Sequence, residues 1–338
     1  MAFSHLKFSL FVMVASLGAT ASVAVYAQGA EAQEAQNTQN TLRRAQQAAQ
    51  KLNYSGTFIY QQANQIRTSR IFHAVDGHGE LEKLEILDGK PREYLRRNDE
   101  VSCYLPESKT IQLEKNVTQE VFPAILNMHA QSLPDSYVIK KAEISRVAGI
   151  ACQVFNFEPK DALRYGYRLC LDNASGLLLR AQTVNAKREV IEQIAFTQIE
   201  IGEVDRARLK PSFPNTAQWQ VEHLTVQANV NSGWSVRFLP AGFKKTREMR
   251  RLIPISSPVN GSVQAKPHQV IQMIFSDGLS SISVFVEPDT GSRTEGSLQQ
   301  GAMTIMGKRQ AEYWLTVVGE VPFAAIKQVI NSIEFKSK

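Results

Sequence analysis

The sequence predicts a mainly β protein with some α structure: an N-terminal half-open antiparallel β-barrel wrapped on helices, then a smaller C-terminal α+β domain. Three observations predict it. Short alternating segments separated by turn-forming residues recur from Tyr54 to Glu200, as an antiparallel meander requires. Few helical patterns accompany them, and a large sheet with so few helices must curl round something to bury one face. The chain also has 338 residues, more than one core comfortably holds, and a proline-bearing, charged stretch at 202–218 divides it.

The first 27 residues carry one cation, Lys7, then an apolar run from Phe8 to Ala15 and small residues ending at Ala27. That is the pattern of a secretory signal peptide cut after Ala27. Ser16, Gly18, Thr20 and Ser22 interrupt the apolar stretch before it reaches the ~20 residues of a membrane span. Gln28, not a cysteine, would be the first mature residue, which argues against a lipid anchor. The expected location is the periplasm. Losing Lys7 and no acid takes the net charge from +6 to +5. So mild an excess favours acidic partners or anionic lipid head groups, and without a dense Lys/Arg stripe no nucleic-acid partner is expected.

Residues 28–40, rich in Gln, Ala, Glu, Asn and Thr with no aromatic ring, read as a disordered tail. The N-terminal domain is expected over 41–201. A helix opens it at Thr41–Leu52, with Leu42, Ala45, Ala49 and Leu52 at helical spacing behind an Asn40 cap. Six strands follow at Tyr54–Tyr60, Thr68–Val75, Leu81–Leu87, Arg92–Arg97, Val101–Leu105 and Thr110–Glu114. Val117–Ala130 reads as a second helix, with Pro123 tolerable only near a first turn. Strands resume at Tyr137–Arg146, Ala151–Phe157, Tyr165–Leu171, Leu177–Val184 and Glu189–Glu200. Tyr54, Phe58, Tyr60, Phe72, Tyr94 and Tyr104 are candidates to line the concave side, although alternation alone also fits a closed core filled by these rings.

Cysteines in an oxidising compartment pair, and three leave one over. If Ala151–Phe157 and Tyr165–Leu171 form a hairpin with Phe157 opposite Tyr165, then Cys152 falls directly opposite Cys170, within disulfide reach. Phe155 then faces Tyr167 on an aromatic core face while the other face carries the bridge. Cys103 alternates with Val101 and Leu105 and reads as a buried free thiol, since no second cysteine or histidine activates it.

The linker is placed at 202–218 and the smaller domain at 219–338. Its strands are expected at Trp219–Val226, Gly233–Leu239, Gln269–Phe275, Ile282–Val286, Ala302–Gly307 and Gln310–Gly319. A turn at Ser276–Gly278 joins two of them, and a helix at Pro322–Ile333 starts with proline at a tolerated position.

The six histidines, at 5, 73, 78, 129, 223 and 268, form no His-Glu-x-x-His and no cluster at ligand spacing, so no metal is expected. A Gly-x-Ser-x-Gly elbow and a phosphate-cradling glycine loop are both missing from the sequence. Glu80, Glu82 and Glu85 fall in a turn or alternate along a strand, as on a solvated face. Neither an enzyme nor a cofactor is expected.

Five phrases carry a resemblance: LNYSGTFIY at 52–60, PKDALRYGYRL at 159–169, LPAGF at 239–243, FSDGLSSISVFVE at 275–287 and VVGEV at 317–321. Together they resemble the MucB/RseB family over nearly the whole mature chain. The resemblance implies a non-enzymatic periplasmic regulator that binds the periplasmic domain of a transmembrane anti-sigma factor of the RseA/MucA type. Such a protein shields its partner from the protease that begins its destruction, restrains the sigma-E-type envelope-stress response, and lets go on sensing lipid or lipopolysaccharide. It also implies a first domain similar to the lipoprotein carriers LolA and LolB, which makes the six rings lipid-binding candidates. The smaller domain would supply partner surface, with Trp234, Phe238, Leu239 and Phe243 as candidate anchors, although ordinary core fits them as well. A periplasmic lipid or lipoprotein carrier is the alternative, and homo-oligomerisation stays open. The Cys152–Cys170 bridge rests on the hairpin reading alone.

Overall fold

The computed structural model of the chain describes residues 36–115, 133–224, 226–253 and 268–336. The signal peptide, most of the expected tail and the expected helix at Val117–Ala130 lie outside them. Helix α1 spans 36–51, so the last five residues of the expected tail are helical and Asn40 lies inside the helix instead of capping it. The reason is Thr38, which joins Leu42, Ala45 and Ala49 on the buried face and extends the stripe by a turn.

The strands of the first domain are β1 (Tyr54–Gln62), β2 (Gln65–Asp76), β3 (Gly79–Ile86), β4 (Arg92–Arg97), β5 (Glu100–Leu105) and β6 (Thr110–Glu114). After the short helix α2 (Leu133–Ser136) come β7 (Tyr137–Val147), β8 (Ile150–Pro159), β9 (Gly166–Asp172), β10 (Leu178–Val184) and β11 (Val190–Ile201). With β12 (Gln220–Leu224) they form one 12-stranded sheet, ordered β12-β6-β5-β4-β3-β2-β1-β11-β10-β9-β8-β7. Its two end strands do not pair with each other, so the sheet stays open. Leu42, Ala45 and Ala49 of α1 pack on Tyr54, Phe58, Ile71, Phe157, Tyr167 and Leu169, which defines the inner face.

Strand β12 departs from expectation. The sequence puts it in the second domain, yet it runs parallel to β6, with Gln220 opposite Thr110 and Leu224 opposite Glu114. The stretch before it is a strap on the outer face of the sheet, with two 3₁₀ turns at Arg206–Leu209 and Thr216–Gln218. Lys83 Nζ donates to the Lys210 carbonyl at 2.9 Å and to Ser212 Oγ at 2.6 Å, and the Ser212 N–H donates to Glu93 at 3.0 Å.

The disulfide joins Cys152 to Cys170 with Cα atoms 5.4 Å apart, and Cys103 is free. The register around it differs from expectation by two residues: Phe157 faces Tyr167, Val154 faces Cys170 and Cys152 faces Asp172, so the bridge is diagonal. Gly166 starts β9 because its backbone runs so close that a Cβ would meet the Phe157 carbonyl at 2.9 Å. Tyr165 is thereby left off the ladder, and its hydroxyl accepts from Gln299 at 3.0 Å. A shift of two residues keeps every side chain on its face, which is why the partition into faces survives the wrong register. Phe155 and Phe157 lie in the inner core, and Cys152, Val154 and Cys170 form a small outer cluster with Val147 and Leu179.

The second sheet contains β13 (Val226–Ala228), β15 (Lys244–Ile253), β16 (His268–Ser276), β17 (Ser281–Pro288), β18 (Gly296–Gln300), β19 (Met303–Gln310) and β20 (Tyr313–Gly319). Its order is β13-β15-β16-β17-β20-β19-β18, and β14 (Trp234–Val236) pairs separately with β21 (Ile333–Phe335). Helix α3 (Phe323–Ile330) buries Ala325, Ile326, Val329 and Ile330 against this sheet.

Candidate functional site

The inner face of the first sheet borders a cavity of about 1100 Å³. Phe58, Leu84, Ile86, Tyr94 and Ile194 give it apolar walls, and Arg67, Lys90 and Arg92 supply cations. Strand pairing explains why these residues meet. Ser69, Ile86 and Arg92 lie in one cross-strand row, and Ile71, Leu84 and Tyr94 in the next. Polar and charged groups alternate with the apolar walls, Asp88 beside the cations among them, as suits an amphipathic ligand, and the volume slightly exceeds that of the usual small-molecule site.

Of the six rings expected on the concave side, Phe58, Tyr60 and Tyr94 line this cavity. Tyr54 shares their face but is buried in the core, stacked on His73 with centroids 4.9 Å apart. Phe72 and Tyr104 lie on the outer face. Phe72 sits under Arg208 of the strap at 4.9 Å, and Tyr104 packs with Phe213 and Trp219, centroids 6.4 and 6.3 Å away. The turn Ala63–Asn64 fixes this outcome: it pairs Gln62 with Gln65, so even positions of β1 face odd positions of β2. Turn length was the available signal for Phe72, and ring type alone could not supply it.

The four expected anchors in the second domain also separate. Trp234 and Phe243 are buried in its core and Leu239 packs against it, while Phe238 is 37 % exposed.

The cavity is also lined by acids. Glu192 and Glu320 line it with Tyr60, Tyr167 and Thr183. Burial, and then the charge of Glu192, push the Glu320 carboxyl up to about 7. Burial also raises Glu192, and burial together with Glu192 raises the Tyr60 hydroxyl.

Beside the cavity the two domains lock through phrases the sequence had set apart. Arg164 Nη1 pairs with Asp277 at 2.5 Å, Tyr137 donates to the same carboxylate at 2.9 Å, and the Arg164 guanidinium lies over the rings of Tyr137 and Phe243 at 5.4 and 5.5 Å. Arg164 also donates to the Ala241 carbonyl. Tyr167 and Ser280 share a hydrogen bond of 2.6 Å, and Leu279 enters the core of the first domain. Gly242 adopts φ +82°, and a Cβ there would strike Ser136, which gives the LPAGF phrase its glycine.

His73, Glu80 and Glu82 bring potential ligand atoms within 4.8 Å of one another, a grouping that their spacing in the sequence does not mark. Arg96 already occupies its centre, with Nη2 2.6 Å from Glu80 and 3.2 Å from Glu82. The His73 ring lies 2.7 Å from the Leu52 carbonyl on one side and 2.8 Å from Glu80 on the other. The cluster is therefore an internally satisfied ion-pair network that fastens the end of α1 to the sheet.

Comparison with known proteins covers both halves of the chain. A family model described as the MucB/RseB N-terminal domain matches residues 37–213, and one described as the MucB/RseB C-terminal domain matches 228–334. The sigma factor AlgU regulatory protein MucB of Pseudomonas aeruginosa is 29 % identical over 297 residues, covering 86 % of this chain and 88 % of that one. The sigma-E factor regulatory protein RseB of Escherichia coli K12 is 25 % identical over 291 residues, covering 85 % and 87 %. Among solved structures, MucB in complex with MucA(peri) aligns over 88 % of this chain and 99 % of that one, with a TM-score of 0.65 and 29 % identity. The Pseudomonas aeruginosa MucA/MucB complex aligns over 89 % and 100 %, with a TM-score of 0.68 and 27 % identity.

Proposed function

The chain belongs to the MucB/RseB family, and on that footing we propose that it is a periplasmic regulator that binds the periplasmic segment of a membrane anti-sigma factor. Bound there, it shields the segment from proteolysis and restrains the envelope-stress response. The observation that carries this reading is the likeness, across both domains at once, to MucB held in complex with MucA(peri). Binding, not catalysis, is the work proposed.

The cavity supports the second half of the reading, release on sensing lipid or lipopolysaccharide. Its apolar walls suit acyl chains, and Arg67, Lys90 and Arg92 suit the phosphates of an anionic head group. Tyr167 lines the cavity and bonds Ser280 across the seam, so an occupant has a route by which to favour one domain arrangement over another, and such coupling must be reciprocal. A carrier that moves lipid or lipoproteins would use the same cavity with no anti-sigma partner.

A protection assay separates the two. The anti-sigma segment from the same genome, digested by the envelope protease that begins its destruction, is expected to survive in the presence of residues 28–338 and to be cut when lipopolysaccharide is added. A carrier would leave digestion unchanged and would purify with stoichiometric lipid.

A further inference from the structure

Two carboxylates from different domains, Glu192 and Glu320, line the same cavity. Glu192, on β11, accepts from Gln62 Nε2 at 3.3 Å and, across the seam, from the Ala302 backbone N–H at 3.4 Å. Glu320 follows β20 and lines the same cavity, and its backbone carbonyl accepts from Ser280 Oγ, the hydroxyl bonded to Tyr167. The approach at Gly301–Ala302 is close. Gly301 has φ +57°, and a Cβ there would meet the Ile191 carbonyl at 3.2 Å and the Glu192 carboxylate at 3.4 Å. The seam thus closes on a carboxylate here, where an apolar contact would carry no charge cost. Tyr60 from β1 and Tyr167 from β9 face the pair, while Arg67 acts on Tyr60 and Asp277 acts on Tyr167. Two like charges in such a site disfavour joint ionisation.

We infer that Glu192 and Glu320 form a proton-held latch between the domains, closed while the pair retains a proton and loosened when both carboxylates are ionised. The direction of the pH response follows from Glu320, which burial and then Glu192 raise from the ordinary 4.5 to about 7. The closed seam therefore binds more protons than the open one. Closure is favoured in acid and weakens as pH rises from about 4.5 through about 7. The latch involves no partner, so its failure would leave the regulatory reading untouched.

Hydrogen exchange tests it on residues 28–338, at pH 5.5 and pH 8 and corrected for intrinsic rates, by following the segment 296–307 with strand 282–286 as internal reference. In the unaltered chain the seam segment is expected to lose protection at least tenfold between the two pH values, since each unit of pKa shift is tenfold in equilibrium. Glu320→Gln is expected to hold its protection at both, and Glu192→Gln, which removes the other charge, is expected to do the same. Equal protection of the unaltered chain at both pH values would overturn the latch. So would a loss in both variants as large as in the unaltered chain.

Discussion

Lys83 is only 2 % exposed on the outer face, with Glu85 at 2.9 Å and Glu93 at 3.4 Å. A buried ammonium is tolerated when paired and hydrogen-bonded, and removing it strands its acids. Lys83→Met is therefore expected to cost about 3–5 kcal/mol in denaturant unfolding. It should also free the strap, so that trypsin cuts at Arg206 or Arg208 well before the rest of the fold; a strap cut no faster than in the unaltered chain would contradict this role. Cys152 and Cys170 are almost fully buried, and replacing both with serine is expected to lower stability by about 2–4 kcal/mol. Non-reducing peptide mapping should recover Cys152 joined to Cys170 with Cys103 unpaired. Burial raises the Cys103 thiol, which keeps it a weak nucleophile at neutral pH.

Strand β12 ties the start of the second half of the chain to the first sheet. Its neighbour β6 would otherwise be an edge. Replacing Val221 and Glu222 together with proline removes whichever of the two N–H groups faces β6, and amide exchange in Thr110–Glu114 is expected to accelerate at least tenfold; unchanged exchange would show that the pairing contributes little. Most strands of the first sheet were legible because turn residues and alternation marked their ends. What alternation left open was which face each ring took. Phe72 and Tyr104 went to the outer face because turn length sets the phase between strands, and composition does not report it. Strand β15 carries no alternating apolar pattern, because Lys244, Lys245, Arg247, Arg250 and Arg251 dominate it, yet it is interior to its sheet and buries Met249 and Glu248. Strand β12 was legible as a strand but its partner was not, since a parallel pairing with distant Thr110 leaves no local mark. The seam was invisible for a similar reason: Arg164 and Asp277 look like ordinary loop charges until the fold brings them to 2.5 Å.

At the scale of the whole molecule, a cavity in one domain and a seam against the other share residues: Tyr167 touches both the cavity and Ser280, and Glu320 reaches the cavity from the second domain. An occupant of the cavity would therefore touch residues of both domains. Arg164 and Asp277 have no side-chain exposure, so Arg164→Met strands a buried carboxylate and is expected to cost about 3–5 kcal/mol of seam stability. Small-angle scattering should then show a larger radius of gyration, and an unchanged radius would mean that the seam is held elsewhere. The proposed regulation rests on lipid and anti-sigma segment binding to coupled sites. Calorimetric titration of residues 28–338 with the anti-sigma segment, in the absence and presence of lipopolysaccharide, tests it most directly. Micromolar or tighter binding that lipopolysaccharide weakens at least tenfold is expected, whereas an affinity unaffected by lipopolysaccharide, or no binding in either condition, would rule the coupling out.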